Sequence, residues 1–250
     1  MWARAFLVAA VVATAGGLGS AGAVQPSGQA VAVLQSVEAN GAAGLRTLAI
    51  DAPVFMGDLI KTDKIGQAQL KFLDNTRMVI GPNAQFTIDS FVFDNKATAK
   101  KFSINVVRGA FRFITGVSRK QAYTITTPSA AIAVRGTQFD LSVDANGATN
   151  LALYEGSVRL CDKGVPRQCA VLAGRCSVLI LSPDNKFQWV NDIAQRTAML
   201  GTVFPYAFQQ ASLLPDFQVG SGACNVADSG VPTGPGSKPP HSIRRQGNFN

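Results

Sequence analysis

Few residues of this 250-residue chain could carry acid–base or metal chemistry. The single histidine, His241, lies among prolines and glycines near the C-terminus. Without an imidazole in the folded part, a Ser-His-Asp triad, a Cys-His pair and a multi-histidine metal site are excluded. Asp140 with Glu155, or Asp58 with Asp63, would suit glycosidase-like chemistry only if they met in a cleft. Nothing in their spacing indicates that, so we expect surface carboxylates and turn caps, no cofactor, no metal and no enzymatic activity.

The four cysteines predict disulfide bonds. They lack a C-x-x-C spacing, which argues against a redox motif or a zinc ribbon, and four reduced, buried thiols would be unusual in an exported chain. The sequence alone leaves every pairing open. We prefer the one in which a short bridge closes a hairpin loop, leaving the other two cysteines to pair. That arrangement joins Cys161 to Cys169 and Cys176 to Cys224.

Arg135-Gly136-Thr137 and Glu155-Gly156 could form a structural or a binding motif. A glycine at a strand entry permits a bulge, and the adjacent arginine offers a rigid fork of donors to a carboxylate or to turn carbonyls. The turn at Asp144-Ala145-Asn146-Gly147 sets a hairpin register that places Thr137 opposite Glu155 and Arg135 diagonal to it. We therefore predict a partly buried Arg135–Glu155 ion pair with a structural role; partner binding by Arg135 is the alternative.

The elements that must position these residues are short strands. The chain has 24 Gly, 12 Pro and 15 Phe, a composition that favours turns between aromatic-rich strands over long helices. From Val31 to about Val190, apolar alternation such as Ala68, Leu70 and Phe72 is interrupted by turn residues every ten residues or so. The pattern predicts an all-β domain.

The periodicity changes after Asp192. Apolar and long side chains then recur at helical spacing from Ile193 to Leu200, and Pro205 interrupts them. The sequence predicts one short helix there and a second from Phe208 to Leu214. We expect both helices to cap the β core.

Seven motifs follow one another along the chain: Gly57–Thr62, Gly66–Leu70, Thr76–Ala84, Val107–Phe113, Thr127–Ala130, Ala133–Phe139 and Tyr154–Val158. This ordered series resembles the FecR domain, the periplasmic module of ferric-citrate-type transmembrane regulators. The resemblance covers roughly Val54 to Leu160 and implies an all-β module, a β-solenoid or β-roll with a β-sandwich as the alternative, that acts in signal transfer or protein contact. The sigma-factor segment of those regulators has no counterpart, so we expect a stand-alone exported domain.

The N-terminus predicts export. Arg4, an apolar stretch from Ala5 to Thr14 and the small residues Ala21-Gly22-Ala23 follow the order of a signal peptide, with an uncleaved anchor as the alternative. We therefore divide the chain into a signal peptide (1–23), a FecR-like β domain with its helical cap (24–219) and a flexible Pro/Gly-rich basic tail (220–250). The mature protein is expected in the periplasm or secreted, without a stable membrane anchor.

The charge and the aromatic content of the chain limit the classes of binding partner that it could have. The formal charge is +8, but four of the positive residues lie in the two ends, and the remaining excess is too mild to indicate nucleic acid. The sequence thus favours a non-catalytic interaction or signalling module with an envelope protein as its partner. The alternative is a cell-wall or polysaccharide-binding module, although Trp189 is the only tryptophan of the mature chain.

Overall fold

The computed structural model describes residues 25–93, 98–165, 168–220 and Cys224. Fifteen strands and one α-helix form in this part of the chain. The strands are β1 Pro26–Leu34, β2 Val37–Gly41, β3 Gly44–Thr47, β4 Pro53–Phe55, β5 Leu59–Thr62, β6 Gln67–Phe72, β7 Arg77–Ile80, β8 Gln85–Phe93, β9 Ala99–Ile114, β10 Tyr123–Thr126, β11 Ala130–Val143, β12 Thr149–Asp162, β13 Cys169–Ala173, β14 Val178–Leu181 and β15 Phe187–Trp189, and the helix is α1 Ile193–Thr202. Short 3-10 turns span Lys120–Ala122 and Pro215–Phe217.

All strands belong to one hydrogen-bonded sheet, which turns back on itself through its long strands. The first half of β9 pairs with β8 and, in parallel, with β10, whereas its second half pairs with β7 and β11. Gly109, with a φ of 106°, stands between the two halves of β9. A long strand therefore leaves one set of neighbours and joins another, so that two parts of the sheet face each other.

The inner core between these two parts is rich in phenylalanine. Phe72 on β6 meets the ring of Phe102 on β9 edge-on, with ring centroids 4.8 Å apart. Phe86 on β8 meets Phe111 on β9 in the same way at 5.7 Å. β6 does not pair with the first half of β9, and β8 does not pair with its second half. Both ring contacts therefore join segments of the sheet that are not hydrogen-bonded to each other.

The outer face of one half of the sheet is covered by residues 190–219, which we call the C-terminal strap. Leu200 and Phe204 of the strap are buried in an apolar cluster with Tyr154 and Val178 of the sheet. A smaller cluster places Phe217 against Val79. The sheet thus buries apolar residues on both faces here, as the run Met78-Val79-Ile80 reflects.

The all-β class expected from the sequence is confirmed, as is the first helix. Asp192 caps that helix, its Oδ1 accepting a hydrogen bond from the Gln195 N–H at 2.7 Å. The second helix, Phe208 to Leu214, was a wrong prediction because those residues form turns. There the Gln69 side chain on β6 accepts from the Leu214 N–H and donates to the Ser212 carbonyl, which replaces helical bonds with bonds to the sheet.

Two predicted segments lie outside the described residues. These are the signal peptide, residues 1–23, and the tail apart from Gly220 and Cys224. In the part of the chain that the structure describes, the single α-helix is too short to cross a membrane.

Candidate functional site

Both glycines of the predicted motif lie in a double irregularity where β11 and β12 pair. The ladder runs regularly from Val143↔Thr149 to Phe139↔Leu153, then shifts at Gln138↔Glu155 and returns at Arg135↔Ser157. Gly136 and Gly156 have φ values of 62° and 80°. A Cβ on Gly156 would stand 2.1 Å from the Gly136 carbonyl oxygen. Only glycine therefore fits at position 156.

The bulge overturns the expected Arg135–Glu155 ion pair. The predicted register holds as far as Phe139, but the shift after it places Glu155 opposite Gln138 instead of Thr137. Arg135 and Glu155 are both exposed, and no ion pair joins these two described residues. Thr137 is buried, and its backbone N–H donates to Thr115 Oγ1 at 2.9 Å. The motif shapes the backbone, and its two charges remain on the surface.

Both disulfides preferred from the sequence are present. Cys161 and Cys169 are cross-strand neighbours on β12 and β13, with their Cα atoms 4.0 Å apart. Cys176 and Cys224 are separated by 48 residues, and this bridge fastens Cys224, which follows the strap in sequence, to the loop between β13 and β14. The second bridge therefore closes a loop that contains the whole strap.

A buried charged cluster on the outer sheet face was missed by the sequence reasoning. Arg112 on β9 and Asp140 on β11 are directly opposed, and their side chains are 0% and 2% exposed. The guanidinium donates from Nε to Asp140 Oδ1 at 2.7 Å and from Nη2 to Oδ2 at 2.9 Å. The Tyr154 hydroxyl donates to the same Oδ2 at 2.8 Å. The geometry is the bidentate fork that makes arginine–carboxylate pairs strong.

The same arginine holds the strap on the sheet. Arg112 Nη2 also donates to the Tyr206 carbonyl at 2.7 Å, and Nη1 donates to Gln210 Oε1. Gln210 Oε1 accepts in turn from the Val219 N–H at 2.8 Å. The Tyr206 hydroxyl donates to the Ile80 carbonyl at 3.3 Å. One buried arginine therefore joins two strands and the strap.

Electrostatics keeps the cluster in a defined protonation state. Burial and the neighbouring Asp140 raise the pKa of the Tyr154 hydroxyl well above its usual value, so that the hydroxyl stays protonated and donates. Burial lowers the pKa of Arg112, but Asp140 outweighs that effect and raises it overall. Burial also raises the pKa of Asp140, which Arg112 opposes.

Three of the four acidic residues considered for catalysis take part in other contacts, and Glu155 is exposed. Asp58 is buried, forms an ion pair with Arg46 and accepts from the Phe55 N–H at 2.7 Å. Asp63 caps a turn, as expected, by accepting from the Ile65 N–H at 3.0 Å. The expectation of surface carboxylates is therefore wrong for Asp58 and Asp140, because each has a buried position beside an arginine.

Comparisons with known proteins agree with the motif series. Residues 58–159 match the family described as FecR protein. Two crystal structures of a candidate anti-sigma factor from Parabacteroides distasonis are similar, with 16% and 14% identity, TM-scores of 0.43 in both cases, and coverage of 57% and 56% of this chain. The chain covers less than two thirds of those proteins, 63% and 62%. A search of curated proteins finds no match.

Proposed function

We propose that this protein, whose residues 58–159 form a FecR domain, is a non-catalytic signalling module that acts by protein contact in the cell envelope after export. The match to the FecR family carries the proposal, since that family suggests a signalling or regulatory role and contact with other envelope or regulatory proteins. It agrees with the motif series read from the sequence.

Export is supported by the cysteines. All four described cysteines are in disulfides, and disulfides persist in oxidising compartments outside the cytoplasm. The order of charge, apolar stretch and small residues at the N-terminus supports the same location. The two bridges fasten β13 and the strap, which gives a module of this size extra resistance to unfolding.

The non-catalytic part of the proposal rests on how the carboxylates are used. Asp140 is held by Arg112 and Tyr154, and Asp58 by Arg46, so neither is available as a free acid or base. Polysaccharide binding has less support, because Trp189 is half-buried and packs against the core where a stacking platform would need an open ring.

Affinity capture tests the proposal. The mature chain, residues 24–250, is immobilised and exposed to an envelope extract of the native host, with cross-linking and mass spectrometry of the retained material. We expect one envelope protein to be enriched in a fixed ratio to the bait. An equal amount of bait that has been reduced and alkylated is the control, and it should lose that protein because the strap is no longer fastened. Retention of glycan fragments alone, or hydrolysis of a glycan, would contradict the proposal.

A further inference from the structure

Two cations lie side by side on the outer face of the sheet beside the strap, and no carboxylate of the described residues pairs with either. Lys71 on β6 and Arg77 on β7 are directly opposed in the ladder, next to Gln29 on β1. Both side chains are half-buried. Within the described part of the chain, neither lies within ion-pair distance of a carboxylate. Arg77 Nε is buried and has no hydrogen-bond partner.

This arrangement is unfavourable for the isolated protein. Like charges on directly opposed residues of an antiparallel pair destabilise it, and a buried donor without an acceptor adds a desolvation cost. The neighbouring Asp74 does not neutralise these cations, because its carboxylate is buried and accepts hydrogen bonds from Ser118 and Tyr123. An incoming anionic group would satisfy both cations at once, since opposed side chains on one face of a sheet are adjacent.

A cleft of about 430 Å³ is lined in part by Lys71, the cation that faces Arg77 in the ladder. Lys71 forms part of its wall together with amide groups from Gln29 and Asn75, and apolar surface comes from Pro53 and the exposed Leu73. Its single carboxylate among the lining residues, Asp51, is exposed and accepts from Gln29 Nε2 at 3.4 Å. The cleft thus combines a cationic end, amide donors and acceptors, and apolar surface.

We propose that Lys71 and Arg77, with this cleft, bind an acidic, extended segment of the partner protein. The inference rests on the proposed function and specifies the chemistry of its partner. Carboxylates of the segment lie on the two cations, its backbone bonds to Gln29 and Asn75, and an apolar side chain packs on Pro53 and Leu73. The charge complementarity and the mixed lining favour a peptide over a uniformly charged polymer.

A labelled peptide tests the site on the mature chain. The probe is a fluorescein-labelled 12-residue peptide in which Asp alternates with Leu and Ser, with an analogue carrying Asn for every Asp, followed by fluorescence anisotropy. We expect saturable binding of the Asp peptide and at least about tenfold weaker binding after Lys71→Gln or Arg77→Gln. The Asn analogue should bind at least about tenfold more weakly as well, because only a charged carboxylate satisfies both cations.

Matched variants separate binding from folding. Arg159→Gln removes an exposed arginine from β12, on the far part of the sheet, and should leave the dissociation constant unchanged. Asp51→Asn should leave it unchanged or lower it, and Lys71→Arg should preserve binding. The melting temperatures of Lys71→Gln and Arg77→Gln should equal or exceed that of the wild type, because the repulsion is relieved. A structural role would lower them instead.

Several results would overturn this inference while leaving the proposed function intact. They are absence of peptide binding, equal binding by the Asn analogue, equal binding after both substitutions, and lowered melting temperatures with unchanged binding. Saturable, Lys71-dependent binding to phosphatidylglycerol vesicles without peptide binding would also overturn it, since the occupant would then be a lipid surface. An envelope partner captured equally by the wild type and by Arg77→Gln would support the proposed function but reject this site.

Discussion

Arg112 and Asp140 show how a buried charge pair can organise a β domain. Removing either partner leaves the other charged group buried and unpaired, which costs about 3 to 5 kcal/mol in comparable cases. We expect Arg112→Met and Asp140→Leu each to lower the free energy of unfolding by that amount. The double variant should lose clearly less than the two losses together, because no unpaired charge remains. Urea denaturation of the four proteins measures the coupling.

The exposed pair Arg135 and Glu155 provides the control for that cycle. Both side chains are on the surface and are not joined in an ion pair. Arg135→Ala and Glu155→Ala should each change the free energy of unfolding by less than about 0.5 kcal/mol, and their effects should add. Strong coupling there, or additive losses at Arg112 and Asp140, would contradict the assignment of the structural pair.

Alanine substitutions at Gly156 and Gly44 distinguish the cost of a left-handed backbone from the cost of a steric clash. Both have φ near 80°, but a Cβ on Gly44 meets nothing within 4 Å, whereas one on Gly156 meets the Gly136 carbonyl at 2.1 Å. Gly44→Ala should cost about 1 kcal/mol from the left-handed backbone alone. Gly156→Ala should cost more, by about 1 to 3 kcal/mol, because the bulge must shift. Equal losses in thermal unfolding would show that the close approach is unimportant.

The residue-scale features differ in how far sequence could predict them. The glycines of the bulge and the preference for a Cys161–Cys169 bridge were accessible because turn chemistry and the closure of a short loop are local; the Cys176–Cys224 bridge followed only as the remaining pair. Arg112 and Asp140 were not, because each alternates with phenylalanine or leucine just as a solvent-facing residue would. What buries them is the strap, whose Tyr206 follows Arg112 by 94 positions, and so distant a contact does not alter the local sequence pattern.

At the scale of elements, the Cys176–Cys224 disulfide should stabilise the strap more than the Cys161–Cys169 disulfide stabilises β13. In the chain-entropy treatment a 48-residue separation corresponds to about 4 kcal/mol and an 8-residue separation to about 2.5 kcal/mol. We expect replacement of Cys176 and Cys224 by serine to lower the free energy of unfolding more than the same change at Cys161 and Cys169. Hydrogen exchange should rise first at the Val203 and Phe217 amides of the strap. Larger destabilisation by the Cys161 and Cys169 variant would reverse this ranking.

The second helix was predicted wrongly because contacts between elements, and not the local sequence, determine the conformation of residues 208–214. Its apolar residues have helical spacing, but Leu213 is buried against the sheet beside Val79, and Gln69 bonds to the backbone at Ser212 and Leu214. Contacts with a distant strand therefore decide the conformation of a segment too short to be a stable helix alone. The first helix was predictable because its cap, Asp192, adjoins it in sequence.

At the scale of the whole molecule, processing of the N-terminus remains a prediction. The small-residue site at Ala21-Gly22-Ala23 should be cleaved, so that the protein purified from its native host begins at Val24. Intact-mass spectrometry of the periplasmic or secreted fraction measures this. A protein that begins at Met1 and stays with the membrane would favour the uncleaved anchor.

The family match ends at residue 159, but the folded unit extends further. Leu200, Phe204, Leu213 and Phe217 of the strap are buried against the sheet. At about 1.5 to 3 kcal/mol for each large apolar side chain, their removal would cost about 6 to 12 kcal/mol, a loss comparable with the whole stability of a domain at about 5 to 15 kcal/mol. The part of this chain that matches the FecR family should therefore not be independently stable without the strap.

Two truncations test this dependence. A fragment of residues 24–224 keeps the strap and its disulfide, and we expect it to melt at the same temperature as residues 24–250. A fragment of residues 24–190, with Cys176→Ser to avoid a free thiol, keeps all fifteen described strands but exposes Tyr154, Val178 and Val79. That fragment should bind an apolar dye, associate with rising concentration and lose its cooperative transition. If it melts cooperatively as a monomer near the temperature of the longer fragment, the strap is an accessory layer and the sheet alone determines the fold.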